Sequence, residues 1–139
     1  MNYKVEIEKL LEAFEPQSNA GVNTYFMVLY SHHNEGMTDW VIQGENFKDA
    51  IFSSIRKAYV NGDHIFYLDF KNPEAIKEKA LYEPHFEIFN EYDQLDYTKT
   101  MKYMYHFLIE EHDEIIVIEI PKTYDPVYIG SNDIANLIR

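Results

Sequence analysis

The run EIIVIEI, residues 114–120, is the strongest strand signal in the chain, and Pro121 stops it. A strand of that character must be paired and covered, so the rest of the chain is read for its partners. NTYFMVLYS (23–31) and TDWVIQ (38–43) are aromatic and β-branched enough to form two more strands. HHNEGM lies between them as a connector of hairpin length. HIFYLDF (64–70) is continuously apolar, which predicts a central strand of the sheet. HFEIF (85–89) alternates and predicts an edge strand, and VYI after the loop KTYDP predicts a short one.

Helical spacing fills the intervals. Residues 3–15 place Ile7, Leu10, Leu11 and Phe14 on one face, and Pro16 with QSNAG ends that segment. Residues 46–60 carry Phe47, Ile51, Ile55 and Ala58 to Tyr59 on one stripe, with Asn46 as N-cap and Asn61-Gly62 as the stop. Asn72-Pro73 opens the short helix PEAIKEKALY. Residues 97–111 show the cleanest stripe, Tyr97, Met101, Met104, Tyr105 and Leu108. Ser131 or Asn132 caps a last helical turn, DIANLI. Helices interspersed with hairpin-like strands predict a single α+β domain over residues 1–139, with one mainly antiparallel sheet packed against several helices.

At 139 residues and 46% hydrophobic content, the chain is long and apolar enough to bury a core without staples. It has no cysteine, which excludes a disulfide framework and any thiolate chemistry. The acidic, amphipathic start is not of signal-peptide type, and no apolar run reaches the roughly 20 residues that span a bilayer. A cytoplasmic protein is expected.

The stretch YSHHNEGMTDW (30–40) raises the question of a metal site. His32 and His33 on a strand end would point to opposite faces, and Asn34-Glu35-Gly36 is ordinary turn chemistry, so a hairpin loop is the expected reading. On the helix 97–111, His106 and Glu110 share a face at i, i+4, but the zinc-protease pattern requires a second histidine that is missing. No phosphate loop, nucleophile elbow or dinucleotide fingerprint is present. Ser53 and Ser54 sit inside a helix beside Phe52 and Ile55, a poor place for a nucleophile. No cofactor or metal is expected.

Charge is the more informative feature. Twelve basic residues face 24 acidic ones, a formal charge of −12, which repels free nucleic acid and anionic membrane and attracts basic surfaces. Between Lys79 and Lys99 stand Glu83, Glu87, Glu91, Asp93 and Asp96 with no interposed base. Between Lys102 and Lys122 stand Glu110, Glu111, Asp113, Glu114 and Glu119, again unopposed. Tyr82, Tyr92, Tyr97, Tyr103 and Tyr105 run through the same region, and tyrosine offers an interface a large ring with a polar tip.

In charge alone the chain is similar to small acidic inhibitors. These include immunity proteins that neutralise nuclease toxins, and anti-defence proteins of phages or plasmids that mimic nucleic acid. The leading expectation is therefore a non-enzymatic protein that occupies the basic surface of a nuclease or another nucleic-acid-binding enzyme. Its contact residues would be Glu83, Glu87, Glu91, Tyr92, Asp93, Asp96, Tyr103, Glu110, Glu111, Asp113 and Glu114. The alternative is a small enzyme or ligand-binding domain that uses His33 with Glu35 or His106 with Glu110. Self-association through the tyrosine-rich surface is a third expectation.

Overall fold

The computed structural model describes residues 23–31, 36–110, 114–120 and 127–129, together with Ile134, Asn136 and Ile138. Strands β1 (Asn23–Ser31) and β2 (Gly36–Gly44) pair antiparallel in unbroken register from Asn23 opposite Gly44 to Ser31 opposite Gly36. Gly36 and Met37 therefore belong to β2, not to the connector. His32, His33 and Glu35 lie outside the described residues, as does the expected first helix. β5 (Glu114–Ile120) pairs with the other edge of β1, and β6 (Val127–Ile129) with β5, giving the antiparallel order β2-β1-β5-β6.

Alternation along β1 sorts its side chains onto two faces. Tyr25, Met27 and Leu29 join Ile42, Ile115 and Val117 in the main core. Phe26, Val28 and Ile118, on the other face, are buried too. Burial on both faces is why β1 and β5 read as nearly continuous apolar runs.

Helix α1 (Phe47–Asn61) follows β2 closely. Asn46 is extended, and its side chain accepts a hydrogen bond from the Asp49 N–H at 2.9 Å, while Asp49 accepts one from the Glu45 N–H at 3.0 Å. Gly62 ends the helix in the left-handed region at φ 68°. Phe47, Ala50, Ile51, Ile55 and Ala58 form the buried stripe. A Cβ on Gly44 would stand 2.5 Å from the Ala50 nitrogen, so only glycine permits this strand-to-helix approach.

The segment 64–70 corrects the sequence reading. It is not a central strand but a tight hairpin apart from the main sheet, with β3 (His64–Ile65) and β4 (Leu68–Asp69) joined by Phe66 and Tyr67. Both turn residues have positive φ, 51° and 64°, which bulky side chains disfavour. Tertiary contacts hold them there. The Phe66 ring packs against Trp40 and Phe107, with centroids 5.1 and 5.7 Å away, and its carbonyl accepts the Tyr103 hydroxyl at 2.6 Å.

Helix α2 (Pro73–Ala80) begins on its proline, as the sequence predicts. Residues 85–89 are not an edge strand: Pro84 starts a 3₁₀ turn to Phe86, and Phe89 makes only an isolated bridge to Leu95. The adjacent Ile88 and Phe89 are both buried, which strand alternation at a half-covered edge does not allow. Helix α3 (Tyr97–Tyr105) continues as a π-helical turn, His106–Glu110. Its buried side is two residues wide: Thr100 and Met101, Tyr103 and Met104, Phe107 and Leu108. Tyr97 is exposed rather than on the stripe, and Tyr105 is half-buried. The result is an α+β fold, as the order of elements predicts.

Candidate functional site

The acidic stretch from Pro73 to Lys99 folds as α2, the 3₁₀ turn, a tight loop and the start of α3. Asn90 builds the loop. Its side-chain oxygen accepts the Tyr92 and Gln94 N–H groups at 2.8 and 3.0 Å, and its own N–H donates to the Gln94 carbonyl at 2.8 Å. Asp93 takes the left-handed conformation at φ 60°, which a short polar side chain tolerates. Glu91 and Tyr92 are thereby left exposed at the tip, Tyr92 at 75%. Across a groove of about 360 Å³, lined by Lys77, Leu81, Glu87 and Asp93 among others, runs the end of α2. There Leu81 and Tyr82 are 79% and 83% exposed.

Lysines flanking the acidic stretch fold back onto it. Lys77 lies 2.9 Å from Asp93 and 3.1 Å from Glu74, Lys99 lies 2.9 Å from Glu87, and Lys79 lies 4.0 Å from Glu83. Hydrogen bonds to Asp93 and then Glu74 raise the Lys77 pKa, and the bond to Glu87 raises that of Lys99. The same lysines cover apolar surface, with the Lys79 ammonium 4.3 Å from the Phe86 ring centroid. The acids are therefore not unopposed, which corrects the reading from the linear sequence. Seven carboxylates against three lysines between Pro73 and Lys99 still leave the ledge negative. Among the described residues Glu78 and Glu91 have no ion-pair partner.

The expected contact residues divide accordingly. Glu83, Glu87, Glu91, Tyr92 and Asp93 come together on the ledge and are exposed. Asp96 is half-buried and caps α3, accepting the Lys99 N–H at 2.9 Å. Tyr103 is no surface residue: it is 2% exposed and tied to Phe66. Glu110 is exposed and lies 2.5 Å from His106, whose ring stacks on His85 of the 3₁₀ turn. Glu111 and Asp113 lie outside the described residues, and Glu114 is placed only as the first residue of β5 opposite Tyr30. Leu81, which the sequence reading passed over, carries no chemical signature; its exposure follows from lying just past the end of α2.

Comparison with known proteins adds no relative. No family model, no curated protein and no solved structure matches the chain.

His106 and Glu110 do meet, as the alternative reading requires, and the His85 ring stacks on His106 with centroids 3.7 Å apart. Among the described residues no group of three or more His, Asp or Glu is arranged to hold a metal ion. No described helix is long and apolar enough to cross a membrane.

Proposed function

We propose that the protein is a binding protein whose acidic, tyrosine-bearing ledge occupies the basic surface of a partner, a nuclease or another nucleic-acid-binding enzyme. The observation that carries this reading is the exposure of Leu81, Tyr82 and Tyr92 beside a groove rimmed by carboxylates. Large side chains left this open contribute little to folding, and tyrosine is a residue type that fills pockets in an interface. The surrounding carboxylates would stand where phosphates sit in the partner's own ligand, accepting charge-assisted hydrogen bonds from arginine forks. The lysine pairs on the ledge keep their carboxylates exposed, with Lys77 and Lys99 half-buried, and add little stability of their own. They hold Glu87 and Asp93 in place at small cost when a guanidinium competes for them.

Affinity capture from the native host, with wild type and a Tyr82→Ala/Tyr92→Ala variant as parallel baits, tests this reading. The expected result is a basic nucleic-acid enzyme retained by wild type and lost by the variant, both baits being equally folded by circular dichroism. Equal retention by the two baits, or a partner without a basic surface, contradicts it.

A further inference from the structure

Strand β2 ends the sheet, and among the described residues β1 is its one strand partner. A groove of about 560 Å³ runs beside it, touching four consecutive β2 residues from Trp40 to Gln43. Successive strand side chains point to opposite faces, so a cavity that meets four in a row follows the strand's edge. Helix α1 forms the opposite wall through Ser53 and Lys57, and His64 of the β3–β4 hairpin lies at its end. The close approach at Gly44 and Ala50 fixes how far α1 stands from the strand.

Two further features bear on what enters. Sheet edges are normally guarded by proline, charged side chains, a bulge or a covering element. β2 reads GMTDWVIQG: it has no proline or lysine, its one charge is Asp39, the stretch Trp40–Gln43 beside the groove is uncharged, and the strand keeps an unbroken register with β1. Lys57 is exposed, and among the described residues it has no ion-pair partner, although acidic residues outnumber basic ones two to one.

We propose that this groove binds an extended segment of a partner polypeptide. The segment adds to β2 as a further strand and sets a carboxylate side chain against Lys57. Main-chain hydrogen bonds to the strand edge supply the affinity, and the α1 wall reads every second side chain. Asp63 shares the lining, so the segment's carboxylate belongs at the Lys57 wall and a neutral residue beside Asp63. The groove shares no lining residue with the acidic ledge, and the two proposals stand or fall separately.

The test is an NMR titration of the full-length, ¹⁵N-labelled chain with a synthetic octapeptide of alternating valine and threonine bearing one central glutamate. Saturable shifts confined to the Trp40–Gln43 amides, the Trp40 indole and the α1 wall are expected. A peptide with lysine in place of the glutamate should bind about fivefold more weakly. Lys57→Glu should reverse that order, and N-methylation of alternate peptide bonds should abolish binding. Absence of shifts along β2, or binding that survives N-methylation, overturns the proposal. So do concentration-dependent shifts at β2 without peptide, accompanied by a dimer in sedimentation, because the edge would then belong to a second copy of this chain.

Discussion

Tyr103 donates its hydroxyl to the Phe66 carbonyl at 2.6 Å inside the core. Tyr103→Phe leaves that carbonyl buried without its donor, so urea melts should show a loss of about 1–3 kcal/mol. Leu108 is fully buried, and Leu108→Ala should cost about 2–5 kcal/mol through lost transfer energy and the cavity left behind. Glu91→Ala, at the exposed loop tip, should stay within roughly 0.5 kcal/mol of wild type. Equal damage from Leu108→Ala and Glu91→Ala would contradict the burial assigned to each. Tyr25 makes a pH prediction. Burial raises its pKa above the ordinary 10.0, a hydrogen bond with Asn23 partly offsets this, and the Glu119 carboxylate 3.4 Å away adds to it. A raised folded-state pKa means the contribution is fully present below the unfolded value and is lost as pH rises through the folded one. As pH rises above the ordinary 10.0 the stability of wild type should therefore fall more steeply than that of Tyr25→Phe. Parallel curves would contradict it.

Elements with local signals were legible in the sequence, and those fixed by distant contacts were not. α1 could be read residue by residue because Asn46 caps it and Gly62 takes the left-handed conformation that ends it. Gly62→Ala should accordingly cost about 1 kcal/mol in thermal or urea melts, since alanine at that φ is strained. The hairpin 64–70 has no such signal. Phe66 and Tyr67 stand where asparagine and glycine usually do, held by Trp40, Tyr103 and Phe107 from other elements. The candidate site divides on the same principle. Lys79 and Glu83 are four apart and their pairing could be anticipated, whereas Lys77 reaches Asp93 and Lys99 reaches Glu87 only through the fold. Tyr103 was misread because the buried side of α3 is two residues wide and takes in a tyrosine whose tip finds a partner inside.

At the scale of the whole molecule, a net charge of −12 gives any basic partner a long-range attraction, and the proposed function has that attraction end at the ledge. Net charge alone would act equally from every face, so the central claim concerns location. The decisive measurement is the association rate of the captured partner as a function of salt, for wild type, Glu91→Lys and Glu45→Lys. Glu45 is exposed beside α1 and lies on neither wall of the ledge groove, so its reversal makes the same charge change at a different place. The Debye length shrinks from about 30 Å at 0.01 M salt to about 8 Å at physiological strength, so the wild-type on-rate should fall steeply while the off-rate changes less. Glu91→Lys should slow association several times more than Glu45→Lys at low salt, with the difference fading as salt rises. Equal slowing by the two reversals, or an on-rate insensitive to salt, would contradict the ledge as the binding surface.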